Sequence, residues 1–338
     1  LPLFLEMLRS ETANSHERQA AALVGLSAYQ QAPRPKGMPP LPARFRRGRA
    51  RLRDAGGTGR PVVLIPSLIN PPSVLDLASD RSLVRWLAGQ GCHAWLLDWG
   101  APTPAERDLD LAGHVEQLLL PLLTKLDEPP VLVGYCLGGT LAMAAAAAAG
   151  AAGCAMIAAP WHFSGYGDAR TAMAQHWATA KPACEMLGLL PMEVLQSGFW
   201  RLDPGRTISK FEAFGRMDPT SEAAQSFVRL EDWANAGAPL TLAAGRDLFE
   251  RLVQRDEPGA GAWQVAGQRV CPATLPCPAI EFVSLTDRIV PAATAAGLRE
   301  RHDIGAGHVG MMIGSRARQQ LWDPLASWIH RACTSACS

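Results

Sequence analysis

The sequence predicts an α/β fold with a mostly parallel central sheet, helices on both faces and an inserted cap. Three observations carry this. Short apolar runs recur at Pro61–Ile65, Ala94–Asp98, Val131–Val133 and Ala279–Leu285, the pattern of strands buried on both faces. Segments with helical apolar spacing separate the first three, at Ser82–Gln90 and about 110–126, so strand and helix alternate. The alternation then stops near residue 161 and resumes near 277, across a stretch rich in Trp, Phe, Pro and Gly.

In chain order, residues 1–31 suggest amphipathic helices, with Leu3, Leu5 and Leu8 on one and Ala20–Leu26 on the next. Pro33, Pro35, Pro39, Pro40 and Pro42 make an extended connector, because proline fixes φ and lacks the N–H that a helix needs. Arg44, Arg46, Arg47, Arg49, Arg51 and Arg53 follow; their partial alternation favours a peripheral strand with a solvated Arg face over an anion-binding patch. In Ser82–Gln90, Leu83, Trp86 and Leu87 share a face, and Gly91 ends the helix. A helix at about 139–149, a short loop and a strand at about 154–158 account for the uncharged run Leu141–Ala159 better than a membrane span does, since most of it is Ala. Within the cap, short helical pieces are expected at Met186–Leu190, Ala223–Trp233 and Leu240–Leu252. After the last long strand come a short segment Arg301–Ile304 and a final helix at about 315–331. The expected domains are a helical and Pro/Arg-rich segment at 1–60, a core made of 61–160 and 277–338, and a cap at 161–276.

At 338 residues, 48% hydrophobic and 19% charged, the chain has an ordinary globular composition. Its net charge of +1 supplies no global attraction for nucleic acid or an anionic membrane. The eight Cys include no Cys-x-x-Cys, the nearest pairs being Cys333/Cys337 and Cys271/Cys277, and no metal-ligand spacing is evident. No secretory signal is visible, so these read as reduced thiols of a cytoplasmic protein.

The chemistry centres on Gly134-Tyr-Cys-Leu-Gly138. Strand, sharp turn and Ala-rich helix follow one another here as in a nucleophile elbow, G-x-S-x-G, with Cys136 in the place of Ser. The N–H of Leu137 then lies at a helix start and can face a developing oxyanion. The loop after Ile65 offers a second donor, Leu68 or Ile69, and Ile69 is the residue chosen; Pro71 and Pro72 have no N–H. Asp287, just past a core strand, and His308, in a Gly-flanked loop, complete the order nucleophile, acid, His. That order specifies an α/β-hydrolase fold. His308 would take the thiol proton, and Asp287 would hold the ring. A thiol nucleophile exchanges one thioester for another, which preserves the transfer potential of an acyl group. It suits passing that group to a hydroxyl if the cap limits water.

Further stretches resemble the polyhydroxyalkanoate synthase family: Leu64–Leu77 (LIPSLINPPSVLDL), Arg81–Val84, Trp95–Gly100 (WLLDWG), Gly134–Gly139 (GYCLGG), Cys277-Pro278, Asp287–Pro291 (DRIVP) and Gly307–Gly310 (GHVG). Glu231–Trp233 and Val265–Gly267 add to them, and the short length is most similar to the class III catalytic subunit. The resemblance implies that Cys136 carries the growing chain and that (R)-3-hydroxyacyl-CoA is consumed with release of CoA, without a cofactor. Asp287 would assist His308 or activate the acceptor hydroxyl. It also implies a second, non-catalytic synthase subunit, a homo- or hetero-oligomer, and a place at the surface of polymer granules. Leu137 stands where the short family members usually have Gln, and Gln254-Arg-Asp256 where an Asn-bearing motif is expected. A cysteine hydrolase acting on esters, thioesters or the polymer is the alternative, and a non-catalytic granule-associated protein a more distant one.

Overall fold

The computed structural model describes residues 2–34 and 37–335. Pro35 of the connector and Cys337 lie outside the described residues. The chain groups into two compact units, one formed by the N-terminal stretch up to Gly37 with Met192–Gly237, the other by Met38–Pro191 with Ala238 to the C-terminus. These boundaries differ from the expected ones: the expected N-terminal segment and the expected cap are each divided between the two units.

The smaller unit is helical. Pro2–Glu11 and His16–Gln31 pack with Met192–Leu202, Pro204–Phe214 and Glu222–Asn235. Phe4, Leu8, Ala22, Leu26, Ile208 and Phe211 form its buried centre, with Trp200 and Phe227 packed against it. Phe4 meets Phe211 edge-to-face at 5.2 Å between centroids, a contact of about 0.5–1.5 kcal/mol beyond the area it buries. A polar clasp links the same segments: the Tyr29 hydroxyl donates to Asp232 at 2.7 Å, and Arg34 donates to the same carboxylate. Burial and the Asp232 carboxylate push the Tyr29 phenol up to about 12. The apolar faces of residues 1–31 thus find partners roughly two hundred positions away, which no local pattern reveals.

The larger unit holds an eight-stranded sheet among the described residues: β1 (Ala43–Arg47), β2 (Ala50–Asp54), β3 (Pro61–Ile65), β4 (His93–Asp98), β5 (Val131–Tyr135), β6 (Gly153–Ile157), β7 (Ala279–Ser284) and β8 (Glu300–Ile304). The spatial order is β1-β2-β4-β3-β5-β6-β7-β8. From β4 to β8 every pairing is parallel, and the β1–β2 hairpin adds an antiparallel edge. Every residue of β3, β5 and β6 is buried, as their unbroken apolar runs require. The arginines of the edge hairpin are partly committed: Arg51 and Arg53 reach Asp98 at 3.2 and 2.8 Å, and Arg44 reaches Asp54 at 3.3 Å. Pro121 cannot donate back along its helix, and Arg47 takes the carbonyl of Gln117 instead, at 3.1 Å.

Outside the sheet, the expected helical piece at Met186–Leu190 is not one helix: Met186 and Leu187 end a longer helix, Ala169–Leu187, with Trp177 and Cys184 buried, Gly188 caps it in the left-handed region, and Leu189–Leu190 is a short strand. Leu240–Leu252 becomes a two-residue strand and two helical segments, Leu242–Arg246 and Asp247–Gln254. The final helix is divided into Arg318–Trp322 and Asp323–Ser335. Among the described residues no helix is long and apolar enough to cross a membrane.

Candidate active site

β5 runs between β3 and β6, with Gly134 opposite Ile65 on one side and Met156 on the other. The next turn reverses the chain into the helix Leu137–Ala149 within a single residue, Cys136, whose φ of 57° and ψ of −135° lie where non-glycine residues seldom sit. The turn closes only because its neighbours lack side chains. A Cβ on Gly134 would stand 2.3 Å from the Cα of Gly139, and one on Gly138 would stand 2.2 Å from the carbonyl oxygen of Ile65. The Cys136 N–H donates to Ile157 at 2.9 Å, which ties the strained residue to β6.

Asp287 and His308 arrive from the ends of β7 and β8. Leu285 donates to the carbonyl of Ile304 at 2.9 Å, and the Ser284 hydroxyl donates to the carbonyl of Ala306, so the two loops leave the sheet side by side. Asp287 accepts at one oxygen from the N–H groups of Ile289 and Val290, at 2.7 and 3.0 Å. Its other oxygen lies 2.5 Å from Nδ1 of His308. The Cys136 side chain also acts electrostatically on this imidazole. Burial opposes a charge on His308, but the Cys136 and Asp287 charges and hydrogen bonds outweigh it and carry the imidazole up to about 10.

The two oxyanion donors named from the sequence fare differently. Leu137 opens a helix of 13 residues, and its N–H is one of the donors that such a start leaves without an intrahelical partner. The Ile69 N–H donates to the Ser67 hydroxyl at 3.2 Å. A hydroxyl two residues back competes for this N–H, as Ser does in tight turns. The Leu68 N–H, the other donor considered, has no hydrogen-bond partner among the described residues.

Three further residues shape the site. The Tyr135 ring lies against His308, with centroids 4.9 Å apart and planes tilted by 30°. Tyr166, in the turn Phe163–Tyr166, feels the charges of Cys136 and Asp287; burial first and those charges second hold its phenol well above the ordinary range. Asp256 fastens that turn, accepting from Phe163 and Ser164 at 2.7 and 3.0 Å while its own φ is 49°. It also accepts from Gly259 at 3.2 Å. Three N–H donors on two oxygens suit a carboxylate better than an amide, whose nitrogen only donates. The sequence signal for Tyr166 is faint: an aromatic residue a few positions beyond the strand that follows the elbow helix. Among the described residues no group of three or more His, Cys, Asp or Glu is arranged to hold a metal ion.

A family model described as the alpha/beta hydrolase family matches residues 62–323, most of the chain. The chain belongs to the alpha/beta hydrolase family. Among curated proteins, this alpha/beta hydrolase is similar to the poly(3-hydroxyalkanoate) polymerase subunit PhaC of Haloferax mediterranei, 24% identical over 285 residues that cover 79% of this chain and 58% of that protein. The polymerase subunit of Haloarcula marismortui is 22% identical, with 82% and 62% covered. That of Allochromatium vinosum is 23% identical, with 80% of each covered. The chain therefore spans about three fifths of the length of the first two relatives. The resemblance to polyhydroxyalkanoate synthases drawn from separate motifs holds along most of the chain. A solved epoxide hydrolase from Bacillus megaterium shares the fold, with a TM-score of 0.54 at 10% identity, covering 83% of this chain and 96% of that one.

Proposed function

We propose that this alpha/beta hydrolase is an acyltransferase that polymerises (R)-3-hydroxyacyl groups from CoA thioesters through a thioester on Cys136. What supports this reading is the His308–Asp287 hydrogen bond, whose imidazole feels the Cys136 side chain at a strained elbow, in a chain similar to polymerase subunits over most of its length. The Cys136 thiolate attacks the thioester carbonyl, and the oxyanion is met by the Leu137 N–H and, from the neighbouring loop, that of Leu68. The intermediate collapses, CoA leaves as a thiolate, and the His308 imidazolium gives it a proton. The hydroxyl of another acyl group then attacks the acyl-Cys136 thioester while neutral His308 takes its proton. The new ester departs and Cys136 returns to the thiolate, paired again with the imidazolium. Asp287 keeps Nδ1 of His308 protonated, so the other nitrogen exchanges the proton in both steps. A second synthase subunit, assembly into an oligomer and a position at the polymer surface belong to the same proposal.

Incubation with 3-hydroxybutyryl-CoA, following CoA, free acid and insoluble polymer together, tests it. Polymer with CoA supports the synthase. CoA with free acid alone overturns it in favour of a cysteine hydrolase. No release, and no acyl adduct on Cys136 by mass spectrometry, overturns both.

A further inference from the structure

We propose that Tyr135 is a positioning residue for the nucleophilic pair: its ring face holds the His308 imidazole in register with Cys136 and favours its protonated form. The proposal rests on the functional reading above for the roles of Cys136 and His308. Tyr135 engages the same residue twice. Its ring packs against the imidazole, with centroids 4.9 Å apart and planes tilted by 30°, and its hydroxyl donates to the main-chain carbonyl of His308 at 3.2 Å. The face of an aromatic ring is its negative side, so a cation lying over it is stabilised relative to the neutral imidazole. Tyr135 is 3% exposed, so water does little to screen the contact.

The placement also removes a degree of freedom. The hydrogen bond from Nδ1 to Asp287 leaves the imidazole able to pivot about that line, and the flat ring of Tyr135 blocks the pivot. Because Tyr135 ends β5 and immediately precedes Cys136, one strand braced by β3 and β6 locates both the nucleophile and its base. The titratable groups acting on His308 are Cys136 and Asp287, both of which favour the imidazolium. Tyr166 is coupled electrostatically to those two, and Tyr135 itself stays a neutral phenol because burial, then the charges of Cys136 and Asp287, keep it protonated.

The test measures alkylation of Cys136 by iodoacetamide against pH, with the labelled peptide identified by mass spectrometry, in the wild type and in Tyr135→Phe, Tyr135→Leu and Tyr135→Met. Tyr135→Phe keeps the ring and should retain the reactive plateau within about threefold. The two aliphatic variants should move the acid limb to higher pH, because the imidazolium that stabilises the thiolate is less favoured without the ring. They should also lower kcat about tenfold with little change in KM. An unchanged profile in either aliphatic variant overturns the proposal. So does Tyr135→Phe losing the plateau, a result that stands even where the aliphatic variants fail to fold. Alkylation needs no acyl-CoA, so this pattern in a chain that makes no polymer would sink the synthase reading and leave the role of Tyr135 intact.

Discussion

Replacing Asp287 by Asn separates orientation of His308 from support of the surrounding loop. One carboxylate oxygen holds the N–H groups of Ile289 and Val290, and the amide oxygen of Asn can keep both contacts. The other oxygen, 2.5 Å from Nδ1 of His308, becomes an NH2 that faces another N–H donor. The imidazole must then rotate away or shift its proton to the nitrogen that should face Cys136, and either change removes the base. A buried charge-assisted hydrogen bond contributes about 1.5–3 kcal/mol, and the wrong tautomer adds to its loss. Together they predict a fall in single-turnover acylation of roughly 10²- to 10⁴-fold, or about 3–5 kcal/mol in the barrier. Stability should fall by no more than the about 1.5–3 kcal/mol of that one hydrogen bond, because the loop contacts survive. The assay is rapid-quench acylation of Cys136 by 3-hydroxybutyryl-CoA, paired with a melting curve. Retention of more than a tenth of the wild-type rate would refute the role given to Asp287, and a large drop in melting temperature would refute the division of labour between its oxygens.

Other consequences are equally direct. Gly138→Ala sets a Cβ 2.2 Å from the carbonyl oxygen of Ile65, so backbone must move; a loss of roughly 2–4 kcal/mol in urea unfolding and of Cys136 reactivity is expected, and wild-type stability would contradict it. Asp256→Ala strips acceptors from Phe163 and Ser164 and leaves Ala at a positive φ; hydrogen exchange across 163–166 should accelerate and acylation should weaken severalfold, whereas unchanged exchange would count against the clasp. The pH dependence has a definite sign. The His308 imidazole is raised from 6.5 to about 10, so its contribution to stability is fully present below pH 6.5 and is lost as pH rises through about 10. Urea unfolding of His308→Ala should therefore lack part of the alkaline decline seen in the wild type, and parallel curves from pH 6 to pH 10 would contradict the assignment.

The local features were legible because their causes are local. Strands buried on both faces must be apolar throughout, and Pro61–Ile65 and Val131–Val133 display that without reference to the rest of the chain. A turn that reverses strand into helix at one residue needs glycine on either side, which Gly134 and Gly138 supply. Asp287 stood out because it follows a core strand, and His308 because it sits in a Gly-flanked loop before the last helix, in the order the fold demands. At Ile69 an equally local feature intervenes, since the hydroxyl of Ser67 accepts from that N–H.

The amino-acid sequence alone pointed to the parallel sheet, the elbow, the family resemblance and the pair Asp287 and His308, which the fold joins by a hydrogen bond. Only the tertiary structure decided which distant segments share a core, as when Phe4 meets Phe211, and which groups close around that pair. Tyr135 reads in sequence as one more buried strand residue, and Tyr166 as an aromatic residue in a loop. Their proximity to His308, Cys136 and Asp287 depends on how loops at the ends of β5, β6, β7 and β8 converge. Side-chain periodicity records which face of an element is buried; it does not record which neighbour that face meets, because that neighbour is set by chain closure over long separations.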